Sequence, residues 1–138
     1  MHKKKDWQTQ FNIFVEENMN KPFVWGEWDC CIFSNSCIKA MTGENLIPKE
    51  LEWKDKETAY KTITSFGKTL KNSIRIACLK KQLTKIDSNY LQKGDLVIID
   101  SNGDEVCGMY DGSKTIGPSD TGICAISGNK IIEGWRVN

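Results

Sequence analysis

Histidine is almost absent from this sequence, and its scarcity limits the chemistry that the chain can perform. The one histidine is His2, which lies beside a basic run at residues 3–5. A structural zinc site needs four cysteine or histidine ligands, usually in closely spaced pairs, and the sequence contains no Cys-x-x-Cys pair. The sequence therefore predicts no metal site and no cofactor.

An excess of one charge and long apolar runs are also missing. Nineteen basic residues face eighteen acidic ones, for a net charge of +1, which argues against a protein that mainly binds a phosphate backbone. No stretch reaches the roughly 18 apolar residues that a membrane helix needs, and polar residues interrupt any secretory signal near the start. We expect a protein made in the cytoplasm, with no membrane span and no nucleic-acid partner.

What the sequence does contain is the composition of an ordinary folded domain. Hydrophobic residues make up 39% of its 138 residues and charged residues 27%, so a core of useful size can be buried. This predicts one domain over residues 1–138, with residues 1–5 as a flexible tail.

Helical periodicity dominates the first part of the chain. Asp6 is a candidate cap for the first helix, and Gly43 is a candidate stop for the second. The segments with apolar residues on one face are 6–19, 29–41, 56–66 and 70–83. Among the cysteines, Cys37, Cys78 and Cys124 have apolar neighbours and are predicted to be small core residues.

Strand patterns follow after Tyr90. We predict strands at residues 96–99, 106–110, 115–116, 122–126 and 130–137. Turn signals at residues 101–104 and 128–129 predict two hairpins. Helices followed by about five antiparallel strands indicate the α+β class.

The most specific local feature is an aromatic loop that leads into a cysteine pair. It contains Trp25-Gly26, two further residues, and then Asp29-Cys30-Cys31. This segment resembles the nucleophile motif of the NlpC-type cysteine peptidases, which have a papain-like fold. The resemblance implies that Cys30 occupies the nucleophile position at the start of a helix. A thiol there lies at the positive end of the helix dipole, which favours the thiolate.

The strand region is similar to the same family, with one departure. Gly94-Asp95 matches the Gly-Asp-Leu that opens a family strand, and Gly108 matches the glycine of a family segment that reads roughly His-Val-Gly-Ile-Tyr. The histidine of that segment corresponds to Val106 here. A second registration places Asp120 at the histidine position.

Loss of this histidine has chemical consequences. A cysteine hydrolase needs a group that supports the thiolate and then protonates the leaving amine. An aspartate would instead raise the pKa of the thiol by like-charge repulsion. His2 lies in the tail and is not expected to act as the base. Cys30 is therefore a candidate nucleophile without an identified base.

Five short motifs lie at residues 22–26 (Pro-Phe-x-Trp-Gly), 29–31 (Asp-Cys-Cys), 40–43 (Ala-Met-Thr-Gly), 94–97 (Gly-Asp-Leu-Val) and 135–137 (Trp-Arg-Val). In this order they resemble a family of small proteins encoded among the tail genes of siphophages. This resemblance implies a non-catalytic tail-tip or tail-assembly component, located in the virion tail, with a hub or tape-measure protein as its partner. Trp28 lies just before the helix start and is expected to be partly exposed. It is the predicted docking residue.

Two other functions stay open. The first is a cysteine hydrolase that cleaves the peptide stems of peptidoglycan with Cys30 as the nucleophile. The second is a redox protein that uses the adjacent pair Cys30-Cys31, although adjacent cysteines form a strained disulfide ring.

Overall fold

Helices precede strands along the chain, so the predicted α+β class is confirmed. The structure is a computed structural model that describes residues 1–126 and 130–138. The helices in these ranges are α1 (Trp7–Glu17), α2 (Cys30–Thr42), α3 (Lys56–Gly67) and α4 (Leu70–Lys80), with a short 3₁₀ turn at Ser88–Tyr90. None of the helices in the described ranges is long and apolar enough to cross a membrane.

The predicted helix ends are confirmed in part. Gly43 adopts a left-handed conformation and ends α2, as expected. Asp6 does not cap the backbone of α1, because its carboxylate accepts a hydrogen bond of 2.8 Å from the side chain of Gln10. Helix α4 ends three residues before the predicted position. The amide of Leu83 then donates to the carbonyl of Cys78, which returns Leu83 to the core.

All six strands of the described chain belong to one antiparallel sheet. They are β1 (Thr84–Ile86), β2 (Leu96–Ser101), β3 (Asp104–Tyr110), β4 (Thr115–Ser119), β5 (Gly122–Ala125) and β6 (Lys130–Arg136). Their order across the sheet is β1-β6-β2-β3-β4-β5. The hairpin of β2 and β3 is confirmed, whereas β1 was not predicted because three residues are too short to establish an alternating pattern.

The second predicted hairpin is wrong. Strand β5 pairs with β4 at one edge of the sheet, and β6 inserts between β1 and β2. An alternating pattern identifies a strand but not its partner, and adjacency in sequence gave the wrong neighbour. The turn predicted at residues 128–129 lies outside the described residues.

An aromatic cluster fills the core between α1 and α2, and it corrects the prediction for Trp28. The ring of Trp28 lies 5.9 Å from that of Phe14 and 5.6 Å from that of Phe33. Trp28 is only 4% exposed, because a bridge between the backbones of Val24 and Trp28 reverses the chain there. A buried side chain is not a docking residue.

Two of the three predicted core cysteines are buried. Cys37 and Cys78 are completely covered, whereas Cys124 is exposed. The prediction for Cys124 is wrong because it lies on β5, an edge strand. Residues 1–5 also differ from the predicted flexible tail: the amide of Lys3 donates to the carbonyl of Asn138, and the amide of Lys4 donates to that of Met41.

A buried ion pair connects the start of β2 to the end of β6. Asp95 is fully buried, and its carboxylate accepts hydrogen bonds from Nε and Nη2 of Arg136 at 2.9 and 2.8 Å. The amide of Gln92 is a third donor, at 2.8 Å. The bidentate geometry and the third bond satisfy a carboxylate that water does not reach.

We expect Arg136→Ala to lower the free energy of unfolding by about 3 kcal/mol, because it leaves the carboxylate of Asp95 buried without its cation. Urea denaturation measures this change. The matched control is Lys61→Ala, which breaks the exposed pair of Lys61 with Glu57 and should cost about 0.5 kcal/mol or less. Equal stability of the two variants would contradict the expected role of the buried pair.

Candidate functional site

The aromatic loop at residues 23–28 is held by a glycine that no other residue can replace without strain. Gly26 has a φ of +82°, and a Cβ added to it would lie 2.6 Å from the carbonyl carbon of Lys54. The chain therefore passes directly against the segment before α3. Trp25, next to it, is half-buried and packs edge-on against Phe23 with ring centroids 5.0 Å apart.

Asp29 organises the start of α2. It is 2% exposed, and its carboxylate accepts three hydrogen bonds. The donors are the amide of Gly26 at 3.0 Å, the amide of Ile32 at 3.0 Å and the indole Nε1 of Trp53 at 2.7 Å. The bond from Ile32 is an N-cap, so the helix begins at Cys30 as the motif predicts.

Three thiols meet where α2 crosses β3. The sulfur atoms of Cys30, Cys31 and Cys107 all lie within 4.8 Å of one another. The thiol of Cys107 is 3.9 Å from the sulfur of Cys31, and the hydroxyl of Ser34 donates to the sulfur of Cys107 at 3.6 Å. The predicted strand therefore does face Cys30, and the side chain it offers to the sulfur is Cys107.

Sequence reasoning missed Cys107 because it considered only the positions that align with the family histidine, Val106 and Asp120. Adjacent residues of a strand point to opposite faces, and Cys107 and Met109 are the residues of β3 that alternate into the core. That alternation was the available signal. It indicates that Cys107, rather than Val106, faces helix α2.

The thiols influence one another's ionisation. Hydrogen bonds from the side chains of Cys107 and Cys31 lower the pKa of Cys30 well below its ordinary value, and the backbone amides of the same two residues act in the same direction. Burial opposes this effect and is outweighed. The pKa values of Cys31 and Cys107 are raised, first by hydrogen bonding within the cluster and then by burial. The arrangement favours one thiolate, at Cys30.

An apolar groove of about 300 Å³ opens beside Cys30 and Cys31. Its walls are mainly aromatic and aliphatic, and they include Phe23, Trp25, Trp53, Tyr60, Ile63 and Leu70. Two carboxylates, of Asp104 and Glu105, lie along the β3 side. The shape and lining are those of a site that accommodates an apolar group with a few polar contacts.

Only part of the predicted motif comes together at this groove. Trp25, Asp29 and Val106 line it together with Cys30. Asp120 is exposed in the turn between β4 and β5, and His2 is exposed near the start of the chain. Neither is among the described residues that line the groove.

The remaining motif residues have structural roles. Gly94 has a φ of +89° in the turn before β2, and Asp95 forms the ion pair with Arg136. Gly108 lets β4 approach β3, because a Cβ there would lie 2.5 Å from the carbonyl oxygen of Ile116.

Comparison with known proteins places the chain in a family. Residues 2–137 match the family described as a domain of unknown function, DUF6950, and the chain belongs to that family. No protein with a curated description matches the sequence. The family description assigns no activity, so the chemistry rests on the site itself.

In reduced, metal-free protein we expect Cys30 to react with iodoacetamide at a pH well below the ordinary pKa of a thiol. Cys107→Ala removes the largest cause of the lowered pKa, so the midpoint of the alkylation rate against pH should move to higher pH. Peptide mass spectrometry resolves the labelling of each cysteine. Cys124→Ala is the control and should leave the profile of Cys30 unchanged; a profile that Cys107→Ala also leaves unchanged would contradict the thiol network.

Proposed function

We propose that this DUF6950 domain is a non-catalytic component of a siphophage tail tip or of its assembly, built on a papain-like framework of the NlpC type. The observation that carries the proposal is the surroundings of the Cys30 sulfur. Its close partners are the thiols of Cys31 and Cys107, whereas the peptidase chemistry requires an imidazole beside the sulfur.

The arrangement of the elements supports the NlpC-type framework. A cysteine begins a helix directly after a Trp-Gly loop, and this helix packs against an antiparallel sheet that follows it in sequence. The strand after the Gly-Asp turn, β2, pairs with β3, and β3 faces the cysteine. These relations match the order of motifs that the sequence shares with the NlpC-type family.

The chemistry of the cluster supports a non-catalytic role. Peptide hydrolysis by a cysteine needs a group that protonates the leaving amine near neutral pH. An unperturbed imidazole has a pKa of about 6.5, whereas a thiol has one of about 8.5. Cys107 and Cys31 are therefore poor substitutes for histidine, and they fill the space next to the sulfur.

The groove is the docking surface that we assign to the tail partner. Its aromatic walls fit an apolar side chain, and the exposed carboxylate of Asp104 fits a neighbouring basic group. Lys56 also lines the groove, and its Nζ lies over the ring of Tyr60, 6.0 Å from the centroid, without a salt bridge to a described carboxylate. The occupant is then a segment of a hub or tape-measure protein that carries an apolar residue beside a lysine or arginine.

We expect Tyr60→Asp to reduce the yield of infectious particles when it replaces the natural chain in a phage that encodes this domain. Tyr60 is 48% exposed and lines the groove, and loss of an aromatic anchor costs about 2 kcal/mol, or about 30-fold in affinity. Plaque counts and the protein content of purified tails measure the effect.

Tyr90→Asp is the matched control, because Tyr90 is 72% exposed and lies outside the described groove. Its particle yield should equal that of the natural chain. If Tyr60→Asp protein is folded and its yield is also unchanged, the groove is not the docking surface.

A second candidate function is a cysteine hydrolase that cleaves the peptide stems of peptidoglycan. The observation that favours it is the position of Cys30, at the N-terminus of α2 and on the wall of a groove of about 300 Å³. The backbone amides at a helix start also suit an oxyanion.

Digestion of purified peptidoglycan separates the two functions. For a non-catalytic domain we expect no muropeptide products beyond the buffer control, with an active NlpC-type peptidase as the positive control. Cys30→Ala should then support virion assembly as well as the natural chain does. Products that form with the natural chain and are lost in Cys30→Ala would establish the hydrolase instead.

A further inference from the structure

The three-thiol cluster has a property that neither proposed function uses. Cys30 and Cys31 come from the first turn of α2, and Cys107 comes from the centre of β3. Cys31 and Cys107 are separated by 76 residues in sequence, so no short cysteine spacing reveals the cluster. All six cysteines of the chain are free thiols, and half of them are gathered at this one point.

The distances between the sulfur atoms suit a shared metal ion. Two thiolates on one Zn²⁺ ion, each with a Zn–S bond of about 2.3 Å, lie about 3.8 to 4.0 Å apart. The sulfurs of Cys31 and Cys107 are 3.9 Å apart. Every separation within the cluster is 4.8 Å or less, so shifts of at most about 1 Å bring all three sulfurs to bonding distance.

The surroundings of the cluster also suit a metal ion. Cys30 and Cys31 line the open groove, which provides a path for an ion from solvent. Cys107 is buried on the inner side, and the hydroxyl of Ser34 donates to its sulfur at 3.6 Å. In known metal sites, hydrogen bonds from groups that do not themselves bind the metal orient the ligands in this way.

We propose that Cys30, Cys31 and Cys107 form a three-thiolate site for a soft, thiophilic metal ion, Zn²⁺ or Cu⁺. Three sulfur ligands select these ions over the harder Mg²⁺ and Ca²⁺, which prefer oxygen. Binding forms three metal–sulfur bonds and releases the thiol protons to solvent. For Zn²⁺ the fourth tetrahedral position faces the groove, where solvent completes the coordination.

The test uses the full chain, reduced and freed of metal with a chelator. Separate samples are titrated with Zn²⁺ and, without oxygen, with Cu⁺, each in competition with a chromophoric chelator. We expect one ion per chain for at least one of the two metals. Cys107→Ser should weaken binding by about 100-fold or more, and Cys124→Ser, a change at an exposed cysteine outside the cluster, should leave the affinity unchanged.

X-ray absorption of the loaded natural chain gives a result that does not depend on the variants. For Zn²⁺ we expect three sulfur neighbours at about 2.3 Å, and for Cu⁺ a first shell made of sulfur. The proposal is overturned if neither ion binds, if nitrogen or oxygen dominates the first shell, or if folded Cys107→Ser binds as tightly as the natural chain.

Discussion

The carboxylate of Asp29 holds together three parts of the chain that have little else in common. Through its three hydrogen bonds it connects the aromatic loop at Gly26, the first turn of α2 at Ile32 and the segment before α3 at Trp53. Each donor is a neutral N–H group that would otherwise need water, and the carboxylate is itself nearly excluded from water. Hydrogen bonds to a charged acceptor are stronger than neutral ones. This one side chain therefore fixes the first residue of α2 and holds Trp53 in its position on the groove wall.

The site follows from that arrangement. Because α2 begins at Cys30, its first two side chains face β3 and the groove at the same time. The result is a sulfur environment rather than a sulfur–imidazole pair. Both the proposed non-catalytic role and the proposed metal site depend on this single fact, but they are separate proposals: the first assigns docking to the groove, and the second assigns ion binding to the thiols.

Local signals in the sequence predicted much of the fold. The apolar pattern of residues 29–41 and the stop at Gly43 placed α2 to within about one residue, because both signals depend on neighbours along the chain. The hairpin of β2 and β3 was equally local. Pairing between strands that are distant in sequence has no such local signal, and so the position of β6 between β1 and β2 was missed.

The errors at the site have the same origin. The burial of Trp28 depends on a bridge to Val24 and on rings contributed by α1 and α2. The approach of Cys107 to Cys30 depends on how a strand lies under a helix. Neither relation can be read from the residues next to the one concerned. The candidate nucleophile could be found from its local motif, whereas the alternation of β3 was the one signal in the sequence that pointed to Cys107.

The interior position of β6 also affects how the protein reaches its native state. Until residues 130–136 have been synthesised, β2 has an unpaired edge in which the first four of six residues are apolar and buried in the native state, and β1 lacks its described partner. Such an edge invites pairing with another chain. Completing the sheet requires contacts between residues that are distant in sequence, and such contacts form slowly. The nascent polypeptide is therefore most prone to aggregation just before this strand is added, and chaperones would be most useful at that stage.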